Sequence, residues 1–192
     1  TQINALRDRL IRQGRKVTVT REPGGTAAAE KIRAVLLSEA GDLPPLAQAM
    51  LANASRMAHV REVIIPALQA GHVVLCDRFS DSTLAYQAYQ ETDARARAAI
   101  GTLTHMACDG VVPDRTLILD LPVAVARARL HARGGALDAF ERRDEVFWES
   151  LRQAFLDIAR RFPARCRVID ASLAPAAVTA AIAAVFAETG GV

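Results

Sequence analysis

Two short polar segments of the chain each follow a predicted strand and carry the residue types that bind phosphate. The first is Arg21-Glu22-Pro23-Gly24-Gly25-Thr26. Its proline fixes the backbone, and its two glycines let the chain turn sharply and approach a ligand closely. Arg21 and Glu22 add a charge pair. The alternative for the same residues is an ordinary strand-to-helix turn in which Thr26 caps the next helix.

The second polar segment begins with Asp77-Arg78, directly after an apolar run at residues 73–76. Arg78 suits a bidentate clamp on phosphate. Asp77 suits a magnesium-bound water, or it orients that arginine. Groups that hydrogen-bond a base or sugar come next, namely Ser80, Ser82, Thr83, Tyr86 and Gln87. The alternative is a solvated salt bridge that caps the following helix.

Arginines form a third feature, spread around the pair Gly134-Gly135. They are Arg127, Arg129, Arg133, Arg142 and Arg143. A glycine-hinged loop that closes over phosphates would place cations where phosphoryl transfer develops charge, and it would expel water. A solvated helix surface explains the same residues. Arg56 lies among small and apolar helical residues, so it either contacts a ligand or extends along the surface to reach solvent.

Helical patterns alternate with short apolar runs along the chain, which predicts an α/β fold with a mostly parallel sheet. We expect strands at 17–20, 73–76, 116–121 and 168–169. We expect helices at 1–13, 27–37, 45–68 with a kink at Pro66, 82–106, 122–132, 144–161 and 174–187. Ligands bind beyond the carboxyl ends of parallel strands. The segments at Arg21 and Arg78 are therefore predicted to converge on one pocket.

Composition is that of one domain spanning residues 1–192, and it excludes several classes of protein. The formal net charge of +3 is too small to indicate nucleic-acid binding. No apolar run is long enough for a transmembrane helix. The three cysteines lack metal-ligand spacing, which favours reduced thiols in the cytoplasm. The four histidines are scattered and, like Trp148, are interpreted as structural or surface residues.

With these motifs in hand, the chain resembles the bacterial thymidylate kinases. The resemblance rests on the segment 21–26, on Asp77-Arg78-Phe79-Ser80-Asp81-Ser82-Thr83-Leu84-Ala85-Tyr86-Gln87, and on Pro113-Asp114-Arg115-Thr116-Leu117 through Asp120-Leu121-Pro122. It covers essentially the whole chain in order. It implies a P-loop kinase-like parallel sheet flanked by helices. The implied activity is transfer of the ATP γ-phosphate to dTMP with Mg²⁺, in a cytoplasmic homodimer that packs through long helices.

The resemblance also implies roles for single residues. Arg78 would hold the dTMP phosphate, Arg56 would hydrogen-bond thymine, and Tyr86 would lie near the sugar. Ser82, Thr83 and Gln87 would line the nucleoside pocket, beside the loop at 21–25. The lid is expected at about 127–143 and includes Glu141. Its Arg133, with Arg78 and Asp77, would act in catalysis, and Mg²⁺ would be held through Asp77 or Glu22.

Three departures from the family pattern qualify these expectations. The family begins with a central strand and a Gly-rich loop ending Gly-Lys-Ser/Thr, and Thr1-Gln2 matches the residues just after that loop. We therefore expect this chain to be a truncated form, inactive and poorly stable alone. Ala52 stands where the family usually stacks a Phe on thymine, and Ala139 stands where the lid usually has an Arg. The alternatives are a kinase of another nucleoside monophosphate and an inactive nucleotide-binding paralogue.

Overall fold

A computed structural model describes residues 2–40 and 42–187 of the 192-residue chain. Its four strands are β1 (Val17–Arg21), β2 (Val73–Asp77), β3 (Thr116–Asp120) and β4 (Cys166–Asp170). Its helices are α1 (Gln2–Arg12), α2 (Ala27–Glu39), α3 (Pro45–His59), α4 (Ile65–Gln69), α5 (Ser80–Thr83), α6 (Ala94–Ala107), α7 (Val123–Arg133), α8 (Glu145–Arg161) and α9 (Pro175–Ala187). The match of Thr1 to the family pattern lies outside the described residues.

The strands form two parallel pairs. β1 pairs with β2 in a register that runs from Val17 opposite Val73 to Arg21 opposite Asp77. β3 pairs with β4 in the same parallel sense. Within the described residues, no strand hydrogen bonds join β2 to β3, so the expected single sheet is present as two separate pairs.

One hydrophobic core nevertheless spans both strand pairs. Leu6 and Leu10 lie one turn apart on α1 and are buried together with Leu75 of β2 and Ile169 of β4. α9 completes this cluster with Val178, Ile182 and Val185. A second cluster packs the apolar face of α8 against Ile118 of β3. The four strands are therefore held in one α/β body by packing rather than by a continuous ladder.

The helix expected at 82–106 is wrong as a single element. α5 is followed by a π-helical turn over Leu84–Ala88, and α6 begins only at Ala94. Asp93 is the reason, because its carboxylate accepts a hydrogen bond from the backbone N–H of Arg95 at 2.8 Å and caps α6. An Asp at the N-cap favours the start of a new helix at the next residue.

The long helix expected at 45–68 is interrupted as its proline predicts. α3 ends at His59, a π-helical turn covers Val60–Ile64, and Pro66 lies in the first turn of α4. Proline has no N–H to donate to the carbonyl four residues earlier, so the regular pattern cannot run through it. No helix in the described part of the chain is both long and apolar enough to span a bilayer.

Candidate active site

A cavity of about 150 Å³ opens where β1 and β2 end. α2 and α3 form one wall, the segment that follows β2 forms the floor, and residues 138–148 form the opposite wall. Its lining residues are Glu22, Pro23, Arg33, Leu36, Leu37, Ala52, Arg56, Arg78, Phe79, Ser82, Thr83, Tyr86, Gln87, Asp138, Phe140, Glu141 and Trp148. Cations, hydroxyls and aromatic rings thus share one opening, which suits a ligand with a phosphate and a planar base.

The two polar segments lie side by side because Arg21 and Asp77 occupy the same register at the strand ends. Only part of the first segment faces the cavity. The Arg21 side chain is exposed and pairs with Glu30 at 3.0 Å, outside the lining. The Gly25 N–H also donates to Glu30, at 3.1 Å. That backbone N–H first, and Arg21 second, lower the pKa of Glu30. The loop is therefore fixed to the start of α2.

Arg78 reaches the cavity from an unusual backbone position. Its φ of 68° lies in the left-handed region, which non-glycine residues seldom adopt. Its guanidinium lies 4.9 Å from the centre of the Tyr86 ring. Burial opposes its charge, but the neighbouring Tyr86, Asp77 and Asp138 outweigh it and raise the pKa of Arg78. The arginine therefore stays cationic beside an open cavity, as a phosphate contact requires.

Tyr86 is held rigidly by other aromatic rings. The Phe140 ring meets it edge-on at 5.2 Å, and those of Phe147 and Phe155 meet it at 6.3 and 6.2 Å. Edge-to-face pairs of this kind stabilise a defined ring orientation. Tyr86 thereby forms a fixed platform under Arg78.

Arg56 is buried at the base of the cavity and almost fully engaged by protein groups. Its Nε donates to Glu22 at 2.8 Å, and its two terminal nitrogens donate to Asn53 at 2.5 Å and Thr83 at 2.9 Å. A guanidinium has five N–H donors, so two remain beyond these three bonds. Its carboxylate partner among the described residues is Glu22, itself 3% exposed. Pairing of this kind keeps both buried charges satisfied.

The remaining nucleoside-pocket residues lie on α5 and the π-helical turn. Ser82, Thr83 and Gln87 all line the cavity, so the structure brings them together with Arg56 and Arg78. The Gln87 side-chain amide donates to Gln48 at 3.2 Å. Two residues of the first segment, Gly24 and Gly25, are absent from the lining and act through the loop's shape.

Glu141 links the expected lid to the cavity. It lines the cavity and forms an ion pair with Arg133 at 3.0 Å. The pKa of Glu141 is lowered, first by the hydrogen bond from Arg133. Ala139 is buried, and its N–H donates to the Leu37 carbonyl of α2 at 2.9 Å. The lid therefore rests against α2 in this conformation.

The arginines expected in the lid do not line this cavity. Arg127, Arg129 and Arg133 line a second cavity of about 270 Å³, which Trp148 shares. Arg129 donates to the carbonyl of Ala171 at 2.8 Å. Two further arginines are occupied locally: Arg142 donates to the carbonyl of Leu137 at 3.0 Å, and Arg143 lies 4.9 Å from the Phe147 ring centre.

Several residues that line the cavity were not among the predicted site residues. They are Arg33, Leu36, Leu37, Phe79, Asp138, Phe140 and Trp148. Arg33 donates a hydrogen bond to the carbonyl of Pro23 at 2.9 Å, and no residue spacing in the sequence predicts this contact. Trp148, interpreted as a packing residue, lines both cavities, and its buried indole N–H has no partner in the described structure.

Metal ligands were expected at Asp77 or Glu22. Both carboxylate oxygens of Glu22 are taken, one by Arg56 and one by His59 at 3.0 Å, so they do not suit a metal ion. Asp77 is exposed at the end of β2, with no side-chain hydrogen bond in the residues that the structure covers. Those residues contain no group of three or more potential metal ligands. Of the two, Asp77 alone fits a water-mediated Mg²⁺ contact.

Parallel strands with a polar cavity beyond their carboxyl ends, lined by three arginines and three carboxylates, are typical of a nucleotide-binding α/β protein. A family model described as "Thymidylate kinase" matches residues 1–182. The chain belongs to the thymidylate kinase family, which phosphorylates dTMP to dTDP with ATP as phosphate donor.

Individual relatives agree with the family match. A protein from Caulobacter vibrioides named "Thymidylate kinase" is 49% identical over 192 residues, covering 100% of this chain and 91% of that protein. One of the same name from Afipia carboxidovorans is 49% identical over 183 residues, covering 93% and 79%. The crystal structure of thymidylate kinase from Ehrlichia chaffeensis superposes with a TM-score of 0.72 at 31% identity, covering 96% and 89%. The predicted family, fold class, reaction and enzyme class are confirmed.

Proposed function

We propose that the cavity at the ends of β1 and β2 is the dTMP site, with the phosphate against Arg78 and the base toward Arg56. The observation that supports this assignment is the convergence of Arg78, Arg56 and the hydroxyls of α5 on one opening. A bidentate guanidinium clamp suits a phosphate dianion, and buried donors at the other end suit carbonyl oxygens of a pyrimidine.

The cavity has two chemically different ends. Arg78 lies with Asp138 and Glu141 toward the lid, whereas Arg56 lies deeper beside Thr83 and Gln87. The two N–H groups of Arg56 left by its protein partners supply donors to the base. Tyr86, held by its ring contacts, sets the position of the sugar between these ends. Ser82 adds a hydroxyl on the same side.

The lid at 127–143 is the source of catalytic cations in this proposal. Arg133 pairs with Glu141 here, and exchange of that partner for the phosphates of ATP would bring its charge to the transferred group. Arg127 and Arg129 lie on the same helix. Arg142 and Arg143, considered as substitutes for the lid arginine that Ala139 replaces, contact protein groups elsewhere.

Mg²⁺ fits the acidic residue at the end of β2. When bound, it would neutralise charge on the phosphates of ATP. Asp77 would hold it through water, since its carboxylate is exposed and close enough to Arg78 to influence the pKa of that residue. Glu22 serves Arg56 instead.

A cytoplasmic homodimer is the second part of the proposal. On α3, Met50, Ala54 and Met57 are exposed, and their spacing of four and three residues puts them on one face of the helix. Met106 is exposed on the neighbouring α6. An apolar face of this kind suits burial against a second copy. Sedimentation of the chain as a monomer at micromolar concentration would contradict it.

The second candidate substrate is a different nucleoside monophosphate. Ala52 lines the cavity and offers no ring surface to the base. Base–aromatic stacking contributes about 1–3 kcal/mol, so a small residue here weakens the preference for thymine. The inactive paralogue remains the alternative outside the kinases.

Release of ADP, measured with dTMP, dUMP, dCMP, dAMP and dGMP in turn, tests the assignment. The assay is run on this chain and on the same chain preceded by a family-type strand and Gly-rich loop ending Gly-Lys-Ser. We expect turnover with dTMP and little turnover with the other four nucleotides. Turnover with another nucleotide alone would replace the substrate, and turnover with none would favour the inactive paralogue.

A further inference from the structure

The deepest polar group under the cavity is His59, which the reaction described above does not use. His59 is fully buried on the last turn of α3, and it is absent from the cavity lining. Its Nδ1 lies 3.0 Å from Glu22 Oε1, and its Nε2 lies 2.6 Å from the hydroxyl of Thr20. A carboxylate only accepts hydrogen bonds, so Nδ1 carries the proton and donates to Glu22.

The imidazole thereby joins β1 to the buried ion pair of the base site. Glu22 Oε2 accepts from Arg56 Nε at 2.8 Å, which leaves Oε1 for His59. The resulting chain of contacts runs from Thr20 through His59 and Glu22 to Arg56. Removing His59 would leave the buried Glu22 carboxylate short of a donor, and unsatisfied buried groups tend to reorient.

His59 also sets the path of the loop that follows Glu22. A methyl group built on Gly25 would approach the His59 ring to 2.4 Å, so the loop backbone lies flat against the imidazole. The loop is fixed to α3 a second time, since the Gly24 N–H donates to the hydroxyl of Ser55 at 3.1 Å. The close approach explains why glycine is needed at position 25, where φ is 90°.

We propose that His59 is a positioning residue for dTMP binding, acting through Glu22 on Arg56 and through Gly25 on the loop. This inference rests on the proposed assignment of the cavity to dTMP. It predicts a loss of dTMP affinity when the imidazole nitrogens are removed, although His59 touches no ligand. It also predicts a looser loop with no ligand present.

The chain contains its own matched control for the substitution. His72 Nδ1 lies 2.9 Å from the hydroxyl of Thr18, so a second threonine–histidine hydrogen bond links β1 to the start of β2. Neither residue lines the cavity. His72→Phe therefore removes a bond of the same kind from the same strand without touching the site.

Affinity for dTMP is measured from the fluorescence of Trp148, the single tryptophan of the chain, which lines the cavity. We expect His59→Phe to weaken dTMP binding about tenfold, because the variant leaves the buried Glu22 carboxylate without one of its two donors. His59→Asn keeps a donor for Glu22 and should stay within about threefold of the parent. Thr20→Val should give an intermediate loss of dTMP affinity, and it replaces His59→Phe in the test if that variant fails to fold. His72→Phe should leave the affinity unchanged.

Hydrogen exchange of the Gly24 amide in the nucleotide-free protein is the second readout. It should speed up at least several-fold in His59→Phe and Thr20→Val, with no change at the amides of α9. Affinity in both variants within about twofold of the parent, or unchanged Gly24 exchange, would overturn the positioning role. If the parent itself does not bind dTMP, the substrate assignment fails, and Gly24 exchange still decides whether His59 holds the loop.

Discussion

Arg78 is the residue that we propose holds the phosphate of dTMP. It combines a left-handed backbone, a ring platform at 4.9 Å and a raised pKa, and each of these fixes a cation at the cavity. Strained backbone at a non-glycine residue is typical of functional positions. The negative charges of the adjacent Asp77 and of Asp138 favour the cationic form of Arg78.

Substitution of Arg78 by alanine should weaken dTMP binding by about 1.5–3 kcal/mol, the range for hydrogen bonds to a charged group. Fluorescence titration gives the dissociation constant, which we expect to rise roughly ten- to a hundredfold. Arg61→Ala is the matched control, because Arg61 is an exposed arginine that pairs with Asp109 away from the cavity. Equal affinity in the two variants would remove Arg78 from the site.

Residue identities at the strand ends could be predicted from the sequence, but side-chain directions could not. Arg78, Ser82, Thr83, Tyr86 and Gln87 of the motif at 77–87 line one cavity, and their role in substrate binding stays a prediction. Arg21 was expected there too, yet it turns to Glu30, which sits on the next helix. The choice between phosphate and a nearby carboxylate depends on packing that no local pattern encodes.

At the scale of elements, β3 is tied to α8 by a two-pronged ion pair. Arg152 donates through Nε and Nη2 to the two oxygens of Asp120, at 2.8 and 2.9 Å. Both side chains are partly buried. Hydrogen bonds from Arg152 are the main cause that lowers the pKa of Asp120. The pair therefore fixes the helix that carries Trp148 to the end of a strand.

This pair gives the stability a defined pH dependence. A carboxylate with a lowered pKa in the folded state adds stability above its unfolded pKa of about 3.9 and loses it as the pH falls through the folded value. Asp120→Asn should lower the unfolding free energy by about 1 kcal/mol at pH 7. The difference in unfolding free energy between Asp120→Asn and the parent should shrink below about pH 4.

Urea unfolding at pH 7, 5 and 3 measures this effect. Asp8→Asn is the control, since Asp8 pairs with its neighbour Arg7 on an exposed face of α1. We expect the control to match the parent at all three values of pH. A deficit in Asp120→Asn that stays constant down to pH 3 would show that the ion pair is not the cause.

The helices differ from the predicted ones where a helix cap or a contact between residues distant in sequence sets their bounds. The start of α6 at Ala94 was signalled by Asp93, which a closer reading of caps would have found. The contacts that form the far wall of the cavity could not be predicted from local sequence patterns. Asp138 and Phe140 follow Arg78 by more than fifty residues, and the lid meets α2 through the Ala139–Leu37 hydrogen bond. Spacing along a chain does not report such contacts.

At the scale of the whole molecule, two parallel strand pairs and a shared core support the cavity of this thymidylate kinase family member. The strand ends place Arg78 beside this cavity, and the buried Arg56 lines it as well. The segment that we propose as the lid forms the opposite wall. Each part follows from short apolar strands that deliver polar residues to the same edge.

Calorimetric titration of the chain with dTMP and with thymidine tests the central claim most directly, because the two ligands differ only in the phosphate. We expect one dTMP to bind per chain and thymidine to bind at least tenfold more weakly, as a guanidinium clamp on the phosphate requires. Equal binding of the two ligands, or no binding of dTMP by the folded chain, would contradict a phosphate grip at Arg78.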